Sequence, residues 1–494
     1  MKRFVKKYTA ELHGRAPFDS DSFIVELLWG DGVEVLEQDG SYSKVRARGK
    51  TGWVRKSALG TKSLLEVYFI DVGQGDGILI RFPDGRHMMI DGGWPRKSQP
   101  TGKNAADFVD WKFCKDYRAD RIALDDMVVS HNDQDHYGGL WDLLNPKESD
   151  ELDLEDVRVE NFYHAGLSWW KDGGRNLGPY KNTPDGAMFT RLVDDRDSVR
   201  EATNGSGTAQ LQGEWAKFMK VALKARTSDG SPTPFMRLSN GTAYFPGYEP
   251  DGDAPTIKLL APVEFEVDGK PAVRKYKGSN SKSTNGNSVL MRLDYKNARI
   301  LLTGDLNTYS QQALLSDYAG QHDEFECDVA KACHHGSGDV SHEFLSKLKP
   351  SVTVISSGDN EGHDHPKPDI VAASALTGNV SVVDDVVVTP LVYSTELARS
   401  TSLGTVTKVE TSVVGQPEQT ISGPRLKDVK ITYKVKMAGD RNPRTRSRSI
   451  SSKPVVAGLI YGLVNVRTDG KTVLCATLDE KKNVWNYKTF EARF

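Results

Sequence analysis

Short alternating and apolar runs dominate the chain, and helical spacing is confined to a few segments. From about Phe23 to Leu59, alternating stretches such as Val33/Val35 and Ser43/Val45/Ala47 are separated by turns at Gly30-Asp31-Gly32, Asp39-Gly40 and Gly49-Lys50. That pattern predicts a compact barrel of roughly five short strands. Residues 1–20 show no clear periodicity and are expected to be a tail or a lead-in strand. From Leu65, two hairpin-like units follow, each ending in a glycine turn with an acid at its tip: the Gly73/Gly75/Gly77 turn, and Asp91-Gly92-Gly93. Ala105, Phe108, Val109 and Phe113 recur at three- and four-residue spacing and predict a helix within residues 104–126. Val157–His164 reads as a strand and LQGEWAKFMKVALKA as a helix. From Thr256, strands resume around the polar loop Ser279–Asn287, and strand–loop–helix units follow through Pro366. Further β-like runs reach the C-terminus, ending in a hairpin that turns at Asp469-Gly470. Strand–loop–helix repetition with polar residues at strand ends predicts a layered α/β architecture, two sheets flanked by helices.

Candidate chemistry concentrates in Val129–Leu140, VSHNDQDHYGGL. Four potential metal ligands, His131, Asp133, Asp135 and His136, follow the apolar run Met127–Val129. On an extended turn, alternate positions point the same way, so His131, Asp133 and Asp135 can converge while His136 swings toward a neighbouring spot. Imidazole and carboxylate in that arrangement suit two metal ions sharing one pocket; the alternative is a polar loop rich in turn formers. Asp305, in Thr303-Gly304-Asp305, lies at a strand terminus, and so do His334-His335-Gly336-Ser337. The loop beyond carries His363 and His365-Pro366. Asp91 either caps a turn or supports the metal loop from behind. His13, His87, His164, His322 and His342 lack such context and read as structural or surface residues, and Cys333 as a small core residue.

Composition narrows the class without adding chemistry. The 494 residues allow two to four domains, and 65 basic against 67 acidic residues give no vote for nucleic acid or membrane. Any polyanion must therefore meet a local patch. One such patch is Gly439–Ser452, with Arg441, Arg444, Arg446 and Arg448, though a solvated loop is the competing reading. Another is Tyr163, Trp169 and Trp170 beside Lys171, Gly173, Gly174 and Arg175, which either stacks bases or forms the core of an insertion. Cys114, Cys327, Cys333 and Cys475 show no CxxC spacing and are expected to be reduced thiols of a cytoplasmic protein. Neither a signal peptide nor a membrane-spanning run is visible, so no membrane partner is expected.

Taken in order, HNDQDHYGG, LLTGDL, HHGS and the later HP resemble the metallo-β-lactamase fold. FIDVGQGDGILI with IDGG, and NSVLMRLDY before LLTGDL, are more similar still to the soluble hydrolase domain of ComEC-type DNA-uptake proteins. The channel that accompanies that domain is not seen, so transport is not expected. The Gly52-Trp53-Val54 stretch and Leu59 resemble a bacterial SH3-like module. The resemblance implies an αββα sandwich over residues 63–400 with an insertion at about 166–250. The SH3-like β-barrel would occupy 21–62, and a β-rich C-terminal extension 401–494.

It also implies two divalent ions (Zn²⁺ or Mn²⁺). His131 and Asp133 would hold one ion and Asp135 and His136 the other, with Asp305 bridging. His365 would complete the second site, and His335 or His334 would complete the first or touch substrate. Asp133 replaces the usual imidazole of HxHxDH and hardens the site toward Mn²⁺ or Mg²⁺. The implied activity is phosphodiester hydrolysis, as a phosphodiesterase or nuclease, through a water bridging two metals, with Asp135 able to take its proton. Nucleic acid is a candidate substrate and a peptide or protein a candidate partner of the SH3-like module. The contrasting expectation is a non-catalytic, partner-binding protein, and the fold also serves lactamase and thioesterase chemistry.

Overall fold

A computed structural model describes residues 2–99, 102–145, 152–171, 176–207, 209–358, 365–395, 400–411, 419–435, 444–452, 454–460, 463–479 and 481–494. His363, Gly173, Gly174, Arg175 and Arg441 lie outside the described residues.

Two sheets face each other. In the first, the strands Leu65–Ile70, Gly77–Arg81 and His87–Gly92 run antiparallel. Ile122–Val129, Val157–His164 and Phe235–Arg237 then continue in parallel, to one edge of nine strands. The second sheet has six strands, antiparallel from Thr256–Ala261 through Leu290–Tyr295 to Ala298–Leu302, then parallel through Val329–Lys331, Val352–Ile355 and Leu391–Ser394. Val67, Phe69, Ile80 and Ile90 of the first sheet meet Ile257, Met291, Ile300 and Val354 of the second in one buried layer. On the outer face of the first sheet lie the helices Ala105–Trp111, Gln134–Leu144 and Gly213–Ala222; on that of the second, Thr308–Asp317 and His342–Leu348. The order helix–sheet–sheet–helix expected from the sequence is present. It follows from strands that are apolar on both faces beside helices with a single apolar face.

Three expectations need correction, and one open alternative is decided. Residues 1–20 are not a tail: Lys2–Val5 and Thr9–His13 are strands of a seven-stranded N-terminal sheet with its own core of Val5, Leu12, Leu27, Val45 and Val54. Their alternation is too short to register as periodicity. The C-terminal segment is not only an extension, because Leu463–Thr468, Thr472–Asp479 and Val484–Glu491 complete the first sheet, pairing through Leu463–Thr468 with Leu65–Ile70. Ser279–Asn287 is not a loop but contains the helix Asn280–Gly286. Finally, Trp169 and Trp170 are buried in the outer core and Tyr163 between the sheets, so they serve packing rather than base stacking.

The N-terminal sheet is joined to the two-sheet unit by buried charge. Arg467 meets Asp31 at 2.7 Å and donates to the Trp29 carbonyl at 2.7 Å, while Trp485 donates from its backbone and ring to Glu26. No helix of the described residues is long and apolar enough to cross a membrane.

Of the histidines read as structural, His13 and His164 are buried and His87 is half-buried, and His87 and His164 stay neutral. Burial, then Arg81, pushes His87 down to about 3; burial, then Arg237, does the same to His164, whose Nδ1 accepts from the Gly166 amide at 3.1 Å. A base with a depressed folded pKa contributes stability that is present above its unfolded pKa of about 6.5 and lost as pH falls toward about 3. Metal-free protein should therefore lose about 2 kcal/mol per histidine between pH 7.5 and 5. His164→Asn keeps an acceptor for Gly166 and should remove one such share in urea unfolding at the two pH values. An unchanged pH dependence would show that His164 does not contribute.

Candidate metal centre

The polar loops gather where the parallel strands of both sheets end. His87–Gly92 and Ile122–Val129 deliver Asp91 and His131; Ala298–Leu302 and Val329–Lys331 deliver Asp305, His334 and His335. A helix begins within the metal loop, at Gln134, so Asp135 and His136 sit on its first turn and Asp133 at its N-cap position. An extended turn therefore does not set their directions. Gly138 and Gly139 lie against Trp94-Pro95 and Gly92, where a Cβ would collide with backbone, and this lets the helix rest directly on the strand carrying Asp91.

Asp135, His136, Asp305 and His335 each offer a ligand atom within 4.8 Å of the others. Asp305 Oδ2 is the hub, at 3.3 Å from His136 Nε2, 3.1 Å from His335 Nε2 and 3.8 Å from His334 Nε2. The His131 and His136 ring centres lie 4.0 Å apart with the rings tilted by 53°, and His131 Nε2 is 3.9 Å from Asp133 Oδ2. His334 lies beside His365, with ring centres 5.9 Å apart. The sequence-derived residues thus meet in space, but the expected pairing changes. His335 joins Asp135 and His136 rather than His131 and Asp133, while His365 neighbours His334.

Three of the buried imidazoles, His136, His335 and His131, present Nδ1 to a polar group behind them. His136 Nδ1 donates to Asp91 at 2.8 Å, His335 Nδ1 faces the Ser356 carbonyl at 3.1 Å, and His131 Nδ1 lies 3.1 and 3.3 Å from the Ser130 and Ser288 hydroxyls. The Nε2 atoms of His131, His136 and His335, and Asp305 Oδ1, are buried without a hydrogen-bond partner. Buried polar atoms that make no hydrogen bond are costly. A divalent cation would satisfy these, and orientation from behind is how ligating histidines are held. The residues fit a metal. Asp91, Asp76 and His136 also cluster, but there the His136 proton and the Lys331 ammonium already serve the carboxylates.

Charge explains the protonation. Against burial, Asp305 and Asp91 hold the His136 imidazole well above its usual range, and Asp305 and Asp76 raise His335 to about 9. Burial, then Asp135, lifts Asp133 to about 7, and burial raises Asp91. Burial, then His136, pushes His131 well down. Asp91, His334 and His335 adopt φ of 55°, 48° and 55°, a region that non-glycine residues seldom enter, so their backbone is held for the side chains' placement.

Sequence reading missed Asp76, Lys331, Ser288, Thr284 and Asn285. Lys331 is fully buried and bonded to Asp76, 3.7 Å from Asp305 and 2.9 Å from the Gly304 carbonyl. A lysine inside the apolar run Val329–Ala332, immediately before the paired histidines, is a signal that could have found it. Thr284 donates to Asp133 at 3.2 Å and Asn285 lies 3.3 Å from His334, on the helix read as a loop.

No family model matches the sequence. The chain is 24% identical over 312 residues to ComE operon protein 3 of Bacillus subtilis, covering 61% of this chain and 29% of that protein. It is 35% identical over 211 residues to competence protein ComA of Neisseria gonorrhoeae, covering 41% and 28%. It thus spans less than a third of the length of these relatives. Among solved structures, it is similar to the metallo-β-lactamase fold protein YhfI of Bacillus subtilis, with a TM-score of 0.32 and 10% identity, covering 67% of this chain and 97% of that one. A diphosphatase from the PhnP family aligns with a TM-score of 0.26 and 11% identity, covering 59% and 86%. Its two facing sheets with outer helices give the αββα layering expected for the metallo-β-lactamase fold, and in sequence the chain is similar to both competence proteins.

Proposed function

We propose that the chain is a dinuclear metal-dependent hydrolase of phosphodiesters, a phosphodiesterase or nuclease. The observation that carries this reading is the set of three buried imidazole Nε2 atoms that make no hydrogen bond, two of them within 3.3 Å of a shared Asp305 carboxylate. Asp135, His136, His335 and Asp305 would hold one cation; His131 and Asp133, with Asp305 shared, would hold the other. His334 and His365, at the rim, would complete a site or meet substrate. When bound, divalent ions supply Lewis acidity and lower the pKa of water. Asp135 would receive the proton of the attacking water. Asp91, Ser130 and Ser288 orient imidazoles, and Lys331 with Asp76 balances the negative charge.

Five aspartates against one ammonium give a hard, anionic centre, which supports Mn²⁺ at least as well as Zn²⁺. Competence-protein homologues make nucleic acid the first substrate to try. The test is metal content together with hydrolysis of bis-p-nitrophenyl phosphate and of single-stranded and duplex DNA, RNA and cyclic dinucleotides. Wild type with Mn²⁺ should turn over, and Asp135→Ala should lose on the order of 10²-fold or more. Protein that neither retains metal nor turns over would support a partner-binding role instead. Activity with Zn²⁺ alone would overturn the metal preference.

A further inference from the structure

At the end of the first sheet away from the metal loops, the N-terminal sheet meets the hydrolase domain around a cavity of about 310 Å³. Its acids are already engaged. Glu34 accepts from Arg46 Nε and Nη2 at 3.0 and 2.8 Å, Glu66 from Arg81 at 2.7 Å, and Asp116 from Lys112 at 2.6 Å and the Arg48 amide at 2.7 Å. Donors are left over. Arg46 Nη1 and the Tyr117 hydroxyl are buried without a hydrogen-bond partner, and Lys2 lines the cavity with no ion pair among the described residues.

A guanidinium, an ammonium and a phenol hydroxyl around one space form a recognition set for a phosphate group. The volume holds more than a bare ion and lies within the range of small-molecule sites. We propose that this cavity binds a small organic phosphate of mononucleotide size, bridging the N-terminal sheet and the hydrolase domain. Such a ligand would stabilise the joint between the two parts by satisfying donors that neither part satisfies alone.

The test uses full-length, metal-free protein in chelator, so that phosphate cannot be held by cations, with Asp305→Asn as a second background. AMP, inorganic phosphate and citrate are titrated by calorimetry and by thermal unfolding. AMP should bind saturably and raise the unfolding temperature, inorganic phosphate more weakly, and citrate least. Lys2→Gln and Tyr117→Phe should each weaken AMP by about tenfold or more. Without ligand, Tyr117→Phe should unfold at the wild-type temperature or above, because the hydroxyl it removes has no partner to lose. Tight citrate binding with weak AMP binding would show a carboxylate site and overturn the phosphate assignment. Absence of AMP binding, or binding unchanged in both variants, would overturn the site.

Discussion

Asp305→Asn is expected to empty the metal centre and to lower phosphodiester hydrolysis by on the order of 10³-fold or more. Its carboxylate lies within 3.8 Å of three imidazoles, His136, His334 and His335. No other described carboxylate has that position. The substitution keeps side-chain shape, and the Ser288 contact is made by the Asp305 backbone amide at 3.0 Å, so the loop should hold. The change is therefore electrostatic, since a neutral amide lacks the charge to balance a bound cation. Metal content by elemental analysis and the rate on bis-p-nitrophenyl phosphate would be read together, with circular dichroism to confirm folding. Full metal occupancy, or a rate within tenfold of wild type, would remove Asp305 from the centre.

Lys331→Met should have the largest effect on stability. The ammonium is wholly buried, holds Asp76 and lies 3.7 Å from Asp305. Despite burial, Lys331 and then His335 hold the Asp76 carboxyl down to about 2. Methionine fills the same space but leaves Asp76 a buried anion with less to balance it, at a cost of about 3–5 kcal/mol. Asp76 also faces His335 Nδ1 at 3.3 Å, so its protonation should loosen that imidazole and weaken metal binding by roughly 10- to 100-fold. Adding Asp76→Leu removes the stranded charge. The double variant should regain most of the stability in urea unfolding while metal affinity stays low. If both quantities recover, the pair is only packing; if the single variant is as stable as wild type, the buried pair contributes nothing.

Much of this centre was legible in the chain because strand ends are simple to read. Apolar runs ending at Val129, Leu302 and Ala332 put the following His131, Asp305 and His334-His335 at the rim of a sheet, whatever the rest does. The direction each side chain takes was not legible. Asp135 and His136 point from a helical first turn, and a polar segment gives little warning of where a helix begins. The same difficulty hid Asn280–Gly286, which has no apolar face to reveal it but carries Thr284 and Asn285 to the site. Lys331 was missed because buried charge is legible only when its partner is known, and Asp76 stands 255 positions away. At the termini, the short strands Lys2–Val5 and Thr9–His13 draw their stability from neighbours distant in sequence, which local pattern cannot show.

The pairing of Leu463–Thr468 with Leu65–Ile70 has a consequence for how the molecule is made. During synthesis, the ribosome must release nearly four hundred further residues after Leu65 before the partner of that strand emerges. Until then a row of backbone donors and acceptors stays open to neighbouring nascent chains. Premature termination anywhere before the last hairpin would consequently yield a sticky, incomplete sheet rather than a shorter folded domain.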